Sequence, residues 1–266
     1  HPYKWPVIGY MSDLNAATMK DIKDFYRIHY APNNAVVVVA GAVNTGKVKS
    51  LIEKYYGGIE AQELPKKVYR QEPKQMGQRT LNLTKQVQAP IFAVMYRAAQ
   101  AGQVDAYTMD LLSNILSNGN SSRLYSRLVY RSQLTSSIST YNFTPQEPGI
   151  FQVTGVMKPG VDMEKALTAV YGELYRIRKE LVSEKELEKA KNQVMFDYVS
   201  SLKTVAGKAQ AMAVNEIIHR DYSELFKDLE KYQAVTREDI KKAAETYLMP
   251  EQRSVIRVRP VQKEGV

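Results

Sequence analysis

Apolar residues recur at helical spacing across residues 18–41, where Met19, Ile22, Phe25, Tyr26, His29 and Tyr30 form one stripe. Pro32 ends that helix, because the residue before a proline is driven out of the α region, and Asn33-Asn34 turn the chain. The β-branched and small run 36–40 then predicts a short buried strand, covered on both faces. A second helix is predicted over 44–56, with Val48, Leu51, Ile52 and Tyr55 on one side and Gly57-Gly58 as its stop.

The pattern of 18–41 returns over 236–260 at a constant offset of 218 residues, with no gap. Thr18 corresponds to Thr236, Asp21 to Asp239, Ile22 to Ile240, Lys23 to Lys241, Pro32 to Pro250 and Val37 to Val255. A cap, an apolar stripe, a proline stop and a strand in one register predict a duplicated unit. The later copy starts near Arg79, so on the same offset the earlier one would start roughly 140 residues before His1. The expected organisation is a C-terminal remnant of a first α+β domain at 1–64, a polar linker with Pro65 and Pro73 at 65–78, and a complete second domain at 79–266.

Within 79–266, residues 79–87 alternate as a half-buried strand and 91–97 form a nearly continuous apolar strand. A helix follows over 105–116, with Leu111, Leu112, Ile115 and Leu116 inward. Asn118-Gly119-Asn120 turn the chain, and Ser121 or Ser122 caps a helix running to Arg131. Segments 136–143 and 149–157 make a hairpin. Helices are predicted over 162–179, from a Ser183/Glu186 capping box to about residue 202, over 205–219 and over 222–233. Thr236 caps the last helix and 253–261 is the closing strand. This order predicts an α+β fold, a mostly antiparallel sheet with helices packed on one face.

Composition adds limits. Hydrophobic residues at 44% and charged residues at 24% are ordinary for a folded globular chain. No apolar run approaches the ~18 residues of a membrane span, and no signal peptide is visible. The absence of cysteine removes disulfides and thiolate metal sites. The formal charge of +9 raises nucleic acid as a partner, but Lys and Arg are spread along the chain as on a solvated surface. The only tight basic group is Arg253, Arg257 and Arg259, which share one strand face.

Candidate chemistry is sparse. His1 is the first residue, His29 lies on an apolar stripe, and His219 ends a helix, where an imidazolium suits the helix dipole. No histidine pair has helical metal-ligand spacing, and there is no phosphate loop, dinucleotide fingerprint or serine nucleophile elbow. Glu184 and Glu188 read as solvated charge among lysines.

The segments HPYKWPVIGYMSDL, FYRIHYAPNNAVVVVAG and LSNGNSSRLYSRLV, together with the terminal unit from Pro250, resemble the pitrilysin-like (insulinase-like) zinc metallopeptidases along essentially the whole chain. The resemblance implies two related halves that enclose an unfolded peptide, each built from two similar α+β domains. It places the family's zinc ligands, an inverted His-x-x-Glu-His helix and a later glutamate, before His1. It therefore implies no catalytic, cofactor-binding or metal-binding residue in this chain and no activity of the chain by itself, with zinc held upstream. The family's substrate-contacting arginine and tyrosine fall in register at Val129 and Ser136, which depart from the pattern. The expected role is a non-catalytic C-terminal domain that helps form a peptide chamber with a second peptidase half. The departure fits either a ligand-bearing half or a non-catalytic scaffold half, and the resemblance of 1–14 to the stretch that follows the ligands favours the first. The alternatives are an inactive scaffold subunit of the same fold, as in respiratory complexes, and a basic nucleic-acid-binding module. Residues 36–39, a strand without its own sheet, are expected to pair with the second domain or by exchange between two copies.

Overall fold

The computed structural model describes residues 1–66, 70 and 72–261, so part of the expected linker, at 67–69 and 71, and the last five residues lie outside the described residues. The α-helices in chain order are α1 (Met11–Ala16), α2 (Met19–His29), α3 (Thr45–Tyr56), α4 (Val104–Ser117), α5 (Met163–Lys179), α6 (Glu184–Ser201), α7 (Val205–His219), α8 (Asp228–Ala234) and α9 (Arg237–Tyr247). The strands are β1 (Arg79–Lys85), β2 (Ile91–Arg97), β3 (Thr135–Phe143), β4 (Ile150–Met157) and β5 (Ser254–Pro260). Two compact units form, one from His1–Lys74 with Leu202–Tyr222 and one from Gln75–Ser201 with Ser223–Val266.

The second unit is an α+β layer. Its sheet runs β1-β5-β2-β4-β3, with only β1 and β5 parallel. Alternation along the strands gives each face a different task. Phe92, Val94, Tyr96, Phe151, Val153 and Val255 turn to the helices and are buried. Their cover comes from Leu111, Leu112, Ile115 and Leu116 of α4 and from Leu167, Val170, Leu174 and Ile177 of α5. α9 packs against both helices through Ile240 and the small Ala243 and Ala244, which let the backbones approach. The opposite face carries Ile91, Ala93, Met95, Ile256 and Val258 in partly covered positions. β1 is an outer strand with an exposed Leu81, where the sequence predicts a half-buried one. Gly155 lies opposite Phe92 in the β2–β4 register, and a Cβ there would enter the Phe92 ring.

The repeat is present in the backbone of both units. In α2 the Asp21 N–H donates to Thr18 Oγ1 at 3.3 Å while the Thr18 N–H donates to the Asp21 carboxylate at 2.9 Å. In α9 Thr236 and Asp239 repeat this box at 3.1 and 2.9 Å. Both helices end in the same bridge conformation, at φ −99°, ψ 22° for Tyr30 and φ −99°, ψ 36° for Leu248. Each is followed by a 3₁₀ turn, Pro32–Asn34 or Pro250–Gln252.

The copies then diverge. Ile240 is fully buried whereas Ile22 is 55% exposed, and Val255 is 1% exposed whereas Val37 is 61% exposed. The expected buried strand at 36–40 does not form among the described residues, and Val36, Val37 and Val39 are exposed. The reason is hydrogen-bond supply: β5 has β1 on one side and β2 on the other, whereas 36–40 joins no sheet. Pairing by exchange between two copies remains a proposal.

A second departure follows the turn at Gly119. The helix there is π-helical over Tyr125–Arg131, with the Ser132 N–H donating to Arg127 O at 3.0 Å, five residues back. Neither expected serine caps it through its side chain, and the Ser122 hydroxyl instead donates to Gly119 O at 2.6 Å.

The equal local structure and unequal burial give paired expectations. Ile240→Ala lowers stability by about 2–5 kcal/mol in chemical denaturation, whereas Ile22→Ala changes it by less than about 1 kcal/mol. Gly155→Ala costs about 1–3 kcal/mol, and a Phe92→Leu background, which frees space at the same point, reduces that loss in a double-mutant cycle.

Candidate functional site

The most constrained irregular segment in the second unit is the loop after α4, the part of the chain that carries the Ser-Ser-Arg-Leu motif. Lys189 of α6 donates to Asn118 O at 3.1 Å and to Ser121 Oγ at 2.8 Å. Arg123 forks onto Glu186 at 2.6 and 2.9 Å. Glu186 also accepts the Ser183 N–H at 2.8 Å and the Ser183 hydroxyl at 2.9 Å, so one carboxylate caps α6 and grips the loop. The Arg123 guanidinium is the main cause that holds Glu186 down to about 2. Beyond it, Arg127 of the π-helix donates to the buried Glu173 of α5 at 2.7 Å, with Arg176 at 3.5 Å.

These contacts tie the segment down. Val129 packs against the core, and Ser136 sits exposed at the irregularity of β3 between Thr135 and Ser137, donating to Val156 O at 3.2 Å. Neither position offers a cation or a phenol to a peptide. The histidines are equally local. His1 Nδ1 accepts from the Tyr3 N–H at 3.2 Å, the His29 ring lies 4.3 Å from that of Phe25, and His219 closes α7. Among the described residues no three His, Cys, Asp or Glu side chains converge as a metal site. The arginines of β5 turn to the helix-covered face. Arg253 stacks on the Tyr171 ring at 3.8 Å and Arg257 forks onto Glu164 at 2.8 and 3.2 Å, while Arg259 is exposed.

Sequence reasoning missed a tyrosine–carboxylate network around α4. Tyr107 donates to Asp228 at 2.8 Å, Tyr232 to Asp110 at 2.7 Å and Tyr247 to Asp105 at 2.7 Å. Burial, aided by the adjacent carboxylates, pushes the Tyr107 phenol up to about 12 and those of Tyr232 and Tyr247 upward too. Burial likewise raises the Asp110 carboxyl against the lowering effect of Asn142 and Tyr232, which both donate to it. The partners lie more than 100 residues apart, so no local pattern announces them.

The Glu186 clamp has a signed pH dependence. A carboxylate held below its ordinary 4.5 contributes stability above that value and loses it as pH falls toward about 2. Glu186→Gln therefore flattens the decline of stability between those two values, read from denaturation midpoints in an acid series.

Comparison with known proteins agrees with this geometry. The profile described as the peptidase M16 inactive domain matches residues 16–194. The zinc protease PqqE of Helicobacter pylori is 32% identical over 98% of this chain. The chain spans 59% of that relative's length. A protease structure from Helicobacter pylori superposes with a TM-score of 0.88 at 29% identity, over 98% of this chain and 63% of the other. A peptidase M16 inactive domain from Pseudomonas fluorescens gives 0.85 at 16% identity, over 100% of this chain and 63% of the other, a likeness of fold alone. This chain belongs to the pitrilysin-like peptidase M16 family, through the domain that the family describes as its inactive one.

Proposed function

We propose that this chain is the non-catalytic C-terminal part of a zinc metalloendopeptidase half, and that it supplies one wall of a chamber that holds unfolded peptide. The zinc and the general base belong to residues of the parent protein outside this chain. The remnant at 1–64, the linker at 65–78 and the domain at 79–266 are the working division of the parent.

The observation that carries the reading is the unequal burial of the repeat. α9 and β5 are covered by α4, α5, β1 and β2. α2 has the same local conformation as α9, but α2 and 36–40 expose Ile22, Phe25, Tyr26 and Val37. By the repeat, their missing cover is a front half of the same kind, two strands and two helices. In this family the front half of the first domain carries the zinc motif. The nucleic-acid alternative rests on the charge of +9 alone, and Arg253 and Arg257 of the tight basic group are engaged inside their own unit.

The test compares the chain alone with a parent protein extended upstream by roughly 140 residues. The extended protein binds one zinc per chain, protects Phe25, Tyr26 and Tyr30 from chymotrypsin, and binds less of a hydrophobic dye. The chain alone binds no stoichiometric zinc. One zinc per chain without the extension, or metal-dependent peptide cleavage by this chain alone, overturns the reading. An upstream segment without the inverted motif favours the scaffold alternative instead.

A further inference from the structure

We propose that the groove between α4, α6, α8 and the edge strand β3 is a binding site for an organic cation, the guanidinium or ammonium group of a basic side chain on a polypeptide. The groove opens to solvent and measures about 430 Å³, room for one long side chain. Its charged lining residues are both carboxylates, Asp110 of α4 and Asp197 of α6. This is a local inversion in a chain with 37 Lys and Arg against 28 Asp and Glu.

Two acids of this unit, the buried Glu173 and the half-buried Asp110, make a contrast. Glu173 has Arg127 at 2.7 Å and Arg176 at 3.5 Å. Asp110 is held by Tyr232 at 2.7 Å and Asn142 at 2.8 Å, and among the described residues no Lys, Arg or His forms an ion pair with it or with Asp197. A buried carboxylate without a cation is costly, and an arriving cation removes that cost. Asn142 fixes the carboxylate, because its amide N donates to Asp110 and to Ala106 O at 3.3 Å.

The walls select the kind of cation. Tyr198, Tyr141 and Tyr232 line the groove, and Tyr141 is exposed. Aromatic faces beside a carboxylate suit an organic cation, through cation–π attraction and a donor-rich head group. A metal ion lacks its donors, since no three metal-ligating acids or histidines converge among the described residues. The groove runs along Thr140 and Asn142 of β3, whose outer side pairs with no strand among the described residues. The Thr140 N–H there already donates to Ser117 Oγ at 2.8 Å, and the rest of that unpaired edge is what favours a polypeptide over a free amine, because an extended segment beside it can lower one side chain into the groove. The assignment does not depend on the chamber reading, since it concerns residues of this chain alone.

The test uses this chain and three small probes: N-acetyl-arginine methylamide, its neutral citrulline counterpart, and agmatine as a free amine. Amide chemical shifts and calorimetry report binding. The arginine derivative shifts residues of α4, α6 and β3 and binds at least about tenfold more tightly than the citrulline derivative, with affinity falling as salt rises. Asp197→Asn, at an accessible position, weakens it severalfold, and Asp110→Asn weakens it further, with denaturation midpoints confirming that both variants fold. Equal affinity for the citrulline derivative, shifts outside the groove, or an Asp197→Asn variant that binds as well as the parent overturns the site. Tighter binding of agmatine than of the arginine derivative overturns the polypeptide as its source.

Discussion

The second unit depends on the insertion of its last strand between its first two. β5 bonds in parallel to β1 and antiparallel to β2, so Ser254–Pro260 closes a sheet begun some 175 residues earlier. Without it β1 has no partner, and the sheet shrinks to β2, β4 and β3. The closure reaches past the strand ends, where the Arg79 N–H donates to Arg253 O at 3.1 Å and the Val261 N–H to Lys85 O at 3.0 Å. α9 precedes β5 through one 3₁₀ turn, so seating the strand also seats Ile240, Ala243 and Ala244 against α4 and α5. Such long-range closure brings a large loop entropy, and it is made worthwhile by two ladders and a helix face acquired together.

The first unit shows the same peptide without that closure. Its capping box, helix, bridge-region end and 3₁₀ turn all form, because each is set within a few residues. Its strand does not, because a strand is half an interaction. This marks how far the sequence could be read. Thr18 and Asp21, Thr236 and Asp239, and Ser183 and Glu186 are local chemistry, and their helix starts were legible to the residue. The alternation of 91–97 and the hairpin of β3 and β4 were legible for the same reason. The burial of 36–40 was not, because five apolar residues reveal their preference for cover but not whether cover is present. The π-helix was not legible either, since the sequence of Tyr125–Arg131 is ordinary and the partners that hold this stretch, Glu186 and Glu173, lie far along the chain.

The same split between local and long-range information governs charge. Two kinds of carboxylate contact appear. Glu186 and Glu173 meet arginines, and both brace the irregular backbone between α4 and β3. Asp105, Asp110 and Asp228 meet tyrosines, and these join α4 to the helices near the C-terminus. A tyrosine donates one hydrogen bond and brings a large apolar ring, so it anchors a helix without a second charge in the core. The phenol edge of Tyr107 against Tyr232, with centroids 5.0 Å apart, shows that the rings pack as well as bond.

Arginine neutralises, whereas tyrosine only orients. Glu173 is therefore finished as an interaction, and Asp110 is not: its donors fix the carboxylate in place while its charge stays uncompensated beside open solvent. Asp228 shares the tyrosine pattern but lies 3.8 Å from Lys231, whereas neither Asp105 nor Asp110 has an ion-pair partner among the described residues, and of these two only Asp110 lines the groove. That the unsatisfied charge stands at the mouth of a groove, on the side of the free edge strand, is more readily understood as recognition than as architecture.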